Sequence, residues 1–232
     1  MTRVAIMQPT YLPWSGYFGL MRSVDLFIFL DSVQFARRSW QQRNQIKTAN
    51  GAQWLTVPVV SKGKRDQRID EVEIDPTAHF AGVHRRTIEL NYRKAPEYGA
   101  LAPQILSLLE GPRLADLTIG IIQRIQEMLG VATPVLRSSV MQGSGAKADL
   151  LVSLCREVGA TEYISPPASQ GYLDESDAFA RAGIPVRYFN FRHPEYPQLF
   201  GEFLPYMSCI DMLFNCGDRS LSLIESGCEV TS

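Results

Sequence analysis

Residues 8–17 read Gln8-Pro9-Thr10-Tyr11-Leu12-Pro13-Trp14-Ser15-Gly16-Tyr17 and stand between a short apolar run at 4–7 and a helical pattern. Two prolines restrict the backbone here, and Gly16 can take torsion angles or close approaches that other residues cannot. The pattern predicts the first strand-to-helix turn of an α/β protein, where such folds bind ligands. The alternative is a structural turn that packs the first helix on the sheet. An amide, two phenols and an indole would frame a flat ligand group: Gln8, Tyr11, Trp14 and Tyr17.

The composition is that of an ordinary globular protein. The chain has 232 residues, 45% apolar and 20% charged, and has room for one large core or two small ones. We expect one α/β domain over residues 1–232, with a hairpin and helical insertion at 40–130. No apolar run approaches the roughly 20 residues of a membrane helix, and no signal-peptide pattern is present, so we expect a cytoplasmic protein without a membrane span. The four cysteines form no CxxC pair, which argues against a zinc site or a disulfide framework.

The net charge of −1 conceals an asymmetry, because Lys and Arg outnumber Asp and Glu in the first hundred residues and are outnumbered in the rest. Segment 34–47 is rich in cations and amides and has hardly any aliphatic residue. Guanidinium groups bind phosphate or carboxylate through paired hydrogen bonds, and an indole can stack on a flat group. A nucleic-acid surface is the weaker interpretation, since the pI near 6.3 lacks a basic excess. We predict an anion-binding wall made of Arg38, Trp40, Arg43 and Lys47.

Strand patterns alternate with helical patterns along the chain. Residues 26–30 form a continuous apolar run, typical of a strand covered on both faces. Asn50-Gly51 predicts a tight hairpin turn. Later strand candidates at 133–141, 162–165 and 184–191 are separated by helical patterns. The alternation predicts a Rossmann-like, mainly parallel sheet flanked by helices, with an inserted β-hairpin and helical segment.

Two side chains are candidates for catalysis. Asp31 ends the apolar run at 26–30; a carboxylate there can serve an active site or cap the next turn. His84 lies in a helical pattern at 77–92 and is either a general base facing a cleft or a hydrogen-bonded structural residue. His79 stands five residues away, which is not the spacing of a helical metal site, so we expect no metal. The later loops add further binding candidates: Ser165, Tyr172, His193 and Asp211.

No Gly-x-Gly-x-x-Gly, Gly-x-x-x-x-Gly-Lys-Ser/Thr or Gly-x-Ser-x-Gly motif occurs, so the standard dinucleotide, P-loop and serine-hydrolase patterns are excluded. Other segments carry a resemblance that spans nearly the whole chain. They are the run 8–18, Phe29-Leu30-Asp31, Arg37-Arg38-Ser39-Trp40-Gln41, Trp54-Leu55-Thr56-Val57-Pro58, His84 and Asp211-Met212-Leu213-Phe214-Asn215. Together they resemble the WbqC-like family. The resemblance implies a protein whose gene belongs to bacterial gene clusters for O-antigen and other surface polysaccharides.

A second similarity concerns the fold alone. The turn at 10–17 is similar to the loop that carries His-x-Gly-His in nucleotidylyltransferases and pantothenate synthetases. Trp14 and Tyr17 stand where the two histidines would be, and no Lys-Met-Ser-Lys-Ser-like loop follows. This similarity implies a related fold without the residues of nucleotidyl transfer.

We therefore expect an enzyme of surface-glycan precursor synthesis that transfers an acyl or aminoacyl group to an amino sugar. In this interpretation the amino sugar is linked to a nucleotide. Its partners would be a small anionic metabolite, either a sugar nucleotide or a carrier thioester, and a carrier protein that delivers the thioester. The sequence identifies no cofactor. Two alternatives stay open: a nucleotidyltransferase with an altered loop, and a non-catalytic protein that binds a sugar nucleotide or carrier.

Overall fold

The computed structural model describes residues 1–231, apart from the side chain of Pro167. The described part contains eight strands: β1 (Arg3–Met7), β2 (Leu26–Phe29), β3 (Arg43–Thr48), β4 (Gly51–Thr56), β5 (Val135–Arg137), β6 (Glu162–Ser165), β7 (Val186–Phe191) and β8 (Cys228–Thr231). Six of them form one sheet in the order β5-β2-β1-β6-β7-β8. Neighbours in this sheet are parallel, except for the antiparallel pair β7 and β8. The predicted Rossmann-like, mainly parallel sheet is confirmed.

The helices lie on both faces of the sheet and in the segment between β2 and β5. In chain order they are α1 (Ser15–Arg22), α2 (Phe80–Tyr92), α3 (Tyr98–Leu106), α4 (Leu114–Met128), α5 (Ala148–Glu157), α6 (Gln170–Asp174), α7 (Ala178–Ala182), α8 (Cys209–Cys216) and α9 (Ser220–Ser226). Among the described residues, no helix is long and apolar enough to cross a membrane.

Strand side chains alternate between two apolar clusters, one on each face of the sheet. On β1, Val4 and Ile6 belong to the cluster formed with α5 and α7, whereas Ala5 belongs to the larger cluster formed with α1, α4 and α8. On β2, Ile28 joins the first cluster, and Phe27 and Phe29 join the second. Because both faces are covered, these strands need no polar side, which explains the continuous apolar run at 26–30.

Strands β3 and β4 form a separate antiparallel hairpin, paired from Arg43↔Thr56 to Thr48↔Gly51. Its turn is Ala49-Asn50, one residue earlier than the predicted Asn50-Gly51. Gly51 then has a φ of +94°, a conformation that favours glycine. Alternation gives the hairpin a buried face with Asn44, Ile46 and Leu55, and an outer face that includes Arg43, Gln45 and Trp54. The hairpin and helices α2–α4 all lie between β2 and β5, which are neighbours in the sheet.

The largest difference from the sequence prediction is at 209–216, where the pattern predicts loops. These residues form helix α8, and every one of them is buried. The Ser208 hydroxyl accepts a hydrogen bond from the backbone N–H of Ile210 and so caps its start. Asp211 and Asn215 lie four residues apart on one face, but a helix of eight residues shows too few turns of this pattern to predict it from sequence.

Two further predictions need correction. The helical pattern between the strand candidates at 162–165 and 184–191 predicts a single helix at 172–182, but it is divided into α6 and α7. The run Val72-Glu73-Ile74 predicts a short strand, but these residues form only isolated bridges, Val59↔Ile74 and Glu73↔Arg113. Each bridge joins a different partner segment, so no ladder can extend from either.

Candidate functional site

The strand order reverses between β1 and β6. From β1 the chain continues to β2 on one side, whereas β6 continues to β7 on the other. In open α/β sheets, ligands bind in the crevice outside the carboxyl ends of the two strands at such a point. Here the crevice lies after Met7 and Ser165, which end β1 and β6.

Three adjoining cavities fill this crevice, and Met7 lines all of them; together we name them the Met7 cleft. A β6 cavity of about 380 Å³ is lined by residues such as Gln8, Gln41, Pro166 and Tyr172. A β7 cavity of about 330 Å³ includes Trp14, Phe191, Arg192 and Glu229. A tryptophan cavity of about 280 Å³ is bordered by Thr10, Trp14, Trp40, Asn44 and Tyr206.

The aromatic turn and the basic segment of the sequence meet at this cleft. The backbone N–H of Tyr11 donates to the carbonyl of Trp40 at 3.0 Å. The Asn44 side-chain amide, buried in the hairpin, donates to the carbonyl of Leu12 at 2.7 Å. The two segments therefore form one wall, and Thr10 and Trp40 border the same two cavities.

Trp14 is fixed across the start of α1. A Cβ placed on Gly16 would lie 1.9 Å from Cζ3 of the Trp14 indole, so only glycine allows the ring to lie where it does. The other side of the indole packs on Phe191 and His193, with ring centroids at 5.3 and 5.4 Å. This predicted binding residue thus lines two cavities with a held ring.

His193 packs against aromatic rings of the cleft but lines none of the three cavities itself. Its imidazole packs on Trp14, on Phe191 and on Tyr206, whose ring centroid is 4.2 Å away. Within residues 1–231, two buried polar atoms of this region have no hydrogen-bond partner: Nε2 of His193 and Oγ1 of Thr10. Burial lowers the pKa of His193, so the ring is neutral at neutral pH. Unpartnered buried polar atoms are costly, and they mark places where a ligand can supply the missing partner.

The structure places His84, the predicted base, away from these cavities' linings. Its Nδ1 lies 2.8 Å from the Tyr11 hydroxyl, and its ring also hydrogen-bonds the backbone of Thr56. Burial lowers the His84 pKa to about 4. The neutral ring therefore joins α2 to the aromatic turn and to β4.

Asp31, the other predicted catalytic residue, is fully buried beside β5. Its carboxylate accepts hydrogen bonds from the backbone N–H and the hydroxyl of Ser139 at 2.9 and 2.8 Å. It also accepts from the Ser138 hydroxyl and forms a 2.7 Å ion pair with Nε of Arg137. These partners make Asp31 the node that joins β2 to the end of β5.

Asp211 and Lys47 are both enclosed in the fold. The Asp211 carboxylate accepts from the hydroxyls of Tyr92 at 2.7 Å and Tyr196 at 2.9 Å, and burial raises its pKa. The Lys47 ammonium donates to the carbonyls of Gly201, at 3.4 Å, and Glu202. Residues predicted to bind substrate thus hold the loop before α8 against the hairpin.

The remaining predicted binding residues fall into buried and exposed groups. Tyr11, Tyr17 and Ser165 have no exposed surface; the Tyr17 hydroxyl donates to the Gln8 carbonyl at 3.2 Å, and the Ser165 hydroxyl to the Pro166 carbonyl at 3.3 Å. Burial raises the pKa of both tyrosines, so they act as hydroxyl donors. Tyr172 is exposed at the β6 cavity.

The cations of the basic segment line none of the three cavities. Arg38 is exposed, and its backbone N–H, at a φ of +56°, donates to Oε1 of Gln42. Arg43 lies over the ring of Trp54, with Cζ 4.3 Å from the centroid. Trp54 in turn contacts Trp40. Of the predicted anion-binding wall, Trp40 and Arg43 thus share an aromatic and guanidinium surface with Trp54, whereas Lys47 is buried.

Sequence reasoning missed three residues of this region. Trp54 was interpreted only as part of a strand, and Thr10 only as part of a turn. Tyr206 is 62% exposed and has a φ of +65°; it follows a proline in a loop whose position no sequence pattern gives. Among these three residues, only Trp54 could be recognised from the sequence, as an aromatic residue in a predicted hairpin strand.

Metal-ligand clusters, a reactive thiol and a second cavity are the other kinds of site that a protein of this class can carry. Among the described residues, no group of three or more His, Cys, Asp or Glu could hold a metal ion. Burial raises the pKa of the Cys209 thiol to about 12, which keeps it protonated at neutral pH. A groove of about 820 Å³ between the start of α2 and the turn at 109–113 is larger than each cavity of the cleft. It lies away from the switch point, and one of its carboxylates, Glu73, is already paired with Lys64.

The sheet order and the aromatic cleft define a Rossmann-like α/β protein with a candidate small-molecule site at the switch point. The chain belongs to the WbqC-like protein family, whose family model matches residues 8–223. It is 38% identical over 221 residues to the uncharacterized protein Rv1507c of Mycobacterium tuberculosis, a match that covers 94% of this chain and 95% of that protein. No solved structure matches the chain.

Proposed function

We propose that the Met7 cleft binds a nucleotide-linked amino sugar and that the protein transfers an acyl or aminoacyl group onto the sugar amine, in the assembly of a bacterial surface polysaccharide. Family membership supports the biological setting. The lining supports the ligand class, because indole rings pack well on the apolar faces of sugars while Gln8, Thr10 and Gln41 supply hydrogen bonds.

The observation that carries the proposal is the neutral imidazole of His193, with its unpartnered Nε2 held behind Trp14 and Tyr206. A neutral imidazole can accept the proton of an attacking amine. The amine then bonds to the carbonyl carbon of a thioester, the C–S bond breaks, and the proton passes from the imidazole to the leaving thiolate. Tyr206 packs on the imidazole and lines the tryptophan cavity, so its exposed ring would have to move before the imidazole could reach a bound amine.

We assign His84 and Asp31 to positioning rather than to proton transfer. The His84 imidazole and the Asp31 carboxylate already form hydrogen bonds and ion pairs within the fold. Each supports a wall of the cleft: His84 through Tyr11 of the aromatic turn, and Asp31 through the end of β2. Loss of either would disturb the site by moving its walls.

A mass assay tests the proposal. The purified protein is incubated with acyl and aminoacyl thioester donors and with UDP-, dTDP- and GDP-linked amino sugars, and product mass and free thiol are measured. His193→Gln should lower kcat by about 10²- to 10⁴-fold with little change in KM. His79→Gln, a histidine at the exposed start of α2, is the matched control and should keep the wild-type rate. An active His193→Gln variant would remove this residue from the mechanism.

A non-catalytic binding protein is the second candidate. It is favoured by one observation: the lining of the three cavities contains a single carboxylate, that of Glu229, among the described residues. This candidate predicts a ligand-induced rise in Tm with neither a mass-shifted sugar nor free thiol. A nucleotidyltransferase would instead release pyrophosphate in a Mg²⁺-dependent reaction.

A further inference from the structure

Trp40 and Trp54 form an exposed aromatic pair beside the Met7 cleft. Their ring centroids are 5.2 Å apart with the planes inclined by 43°. The residues are 48% and 40% exposed, although large aromatic residues usually bury most of their surface. Two contacting tryptophans with open faces are typical of a surface that binds a flat group.

Arg43 gives this pair a positive charge. Its guanidinium lies over the Trp54 ring, and its buried Nε has no hydrogen-bond partner in the part of the chain that the structure describes. Within that part, no carboxylate lies within ion-pair distance of it either. A guanidinium without an acidic partner, held on an aromatic face, is suited to an anion.

The three residues continue the cleft onto the outer face of the hairpin. Trp40 lines both the β6 cavity and the tryptophan cavity. Trp54 is opposite Gln45 in the hairpin, and Arg43 is two residues before Gln45 on the same face. A ligand in the cleft can therefore pass over Trp40 and reach Trp54 and Arg43 without crossing another element.

We propose that Trp40, Trp54 and Arg43 form a subsite, which we name the platform, for the nucleoside diphosphate arm of the ligand. The base stacks on a tryptophan face and the diphosphate pairs with Arg43, while the sugar lies in the cleft. This inference rests on the proposed function for the sugar, but binding to the platform can be measured without any transfer reaction. The pI near 6.3 and the net charge of −1 favour a small nucleotide over a nucleic-acid strand.

The test measures the affinity of the intact protein for UDP, GDP, dTDP and CDP by calorimetry and by quenching of tryptophan fluorescence. At least one of them should bind the wild type with a Kd below 1 mM. Trp54→Ala should weaken that binding by about 5- to 100-fold, the usual effect of removing a stacking ring. Trp54→Phe should restore most of it. Arg43→Gln should weaken the diphosphate more than the corresponding nucleoside.

The matched controls are exposed residues on helices, outside the hairpin that carries Arg43 and Trp54. Leu90→Ala on α2 and Arg156→Gln on α5 remove an exposed apolar and an exposed cationic side chain, and neither should change the affinity. Wild-type affinity in Trp54→Ala, or no nucleoside diphosphate bound by the wild type, would overturn the platform. Tighter binding of an octamer of deoxyuridylate through Trp54 would also overturn it in favour of a single-stranded nucleic acid.

The outcomes for the two proposals are separable. His193→Gln should bind the diphosphate with wild-type affinity, because the platform does not include His193. If the platform binds nucleotide and no transfer is seen with any donor, the transfer reaction fails and the platform stands. If transfer proceeds and Trp54→Ala leaves both KM and nucleotide affinity unchanged, the platform fails and the transfer reaction stands.

Discussion

The side-chain amide of Gln41 donates a 2.7 Å hydrogen bond to Oε1 of Gln8. Gln8 follows the last residue of β1, and Gln41 lies two residues before the hairpin, so this bond closes the junction of the aromatic turn and the basic segment. Both side chains also line the β6 cavity. Together with the bonds from Tyr11 to Trp40 and from Asn44 to Leu12, it joins two segments distant in sequence into one wall of the cleft.

A double-mutant cycle measures this junction. Gln8→Ala, Gln41→Ala and the double variant should show a coupling free energy of about 0.5–1.5 kcal/mol, the net value of a partly buried hydrogen bond. Urea denaturation gives the four unfolding free energies, those of the wild type and the three variants. The exposed pair Arg86–Glu89 is the control, with expected coupling of about 0.5 kcal/mol or less. Additive effects of the two glutamine changes would contradict the prediction.

Gly16→Ala should displace the Trp14 indole, because the new Cβ would lie 1.9 Å from the ring. We expect a loss of about 1–3 kcal/mol in the free energy of unfolding, typical of overpacking, together with a shifted tryptophan emission. Gly120→Ala in α4 is the control, since no atom lies within 4 Å of its added Cβ. That change should be stabilising by about 0.5–1 kcal/mol. Equal stability effects at the two positions would count against a fixed Trp14.

Asp31→Ala should destabilise the fold by about 3 kcal/mol or more, because it removes a fully buried carboxylate and leaves the backbone N–H of Ser139 and the Nε of Arg137 without an acceptor. Chemical denaturation at constant m value checks this. Asp177→Ala, which removes an exposed i, i+4 pair with Arg181, should cost about 0.5 kcal/mol or less. A stable Asp31→Ala protein that has lost only turnover would return Asp31 to a catalytic role.

His84 should make stability depend on pH. Its folded-state pKa of about 4 lies below the ordinary value of 6.5, so the unfolded chain takes up a proton first as the pH falls. The His84 contribution is therefore complete above pH 6.5 and decreases toward pH 4, by about 3 kcal/mol in total. Asp211, whose pKa burial raises, acts in the opposite direction near the acidic end.

Because both groups affect stability, the His84 contribution is measured as a difference between two unfolding free energies. The unfolding free energy of wild type minus that of His84→Gln should decrease as the pH is lowered from 7 to 4. The same difference for Val83→Ala, at an exposed position of α2 that does not titrate, should stay flat. A pH-independent difference for His84→Gln would mean that the imidazole is not buried and neutral in the folded state.

Local patterns in the sequence predicted much of the fold. The apolar run at 26–30 gave a buried parallel strand, and Asn50-Gly51 gave the hairpin to within one residue. Strand β8 and helix α8 were missed for physical reasons. Strand β8 has four residues, and its exposed residues Glu229 and Val230 are adjacent, so no alternation is visible. Helix α8 has eight residues, and its polar Asp211 and Asn215 resemble loop residues in so short a segment.

The candidate site could be predicted only in part. The turn at 8–17 and the segment 34–47 were recognised by composition, and they do meet at the cleft. The partners of each polar side chain could not be predicted, because they come from distant residues. His84 bonds Tyr11, 73 positions away, and Asp211 bonds Tyr92, 119 positions away. Such long-range pairs decide whether a histidine or an aspartate supports the fold or faces a ligand.

The most direct measurement is the position of bound ligand in crystals of the wild-type protein soaked with UDP- and dTDP-linked amino sugars. We predict that the sugar contacts Met7, Thr10 and Trp14 in the cleft between β1 and β6. The nucleotide should extend from the cleft over Trp40. Ligand bound only in the groove between His79 and Gly111, with the Met7 cleft empty, would contradict this assignment of the site.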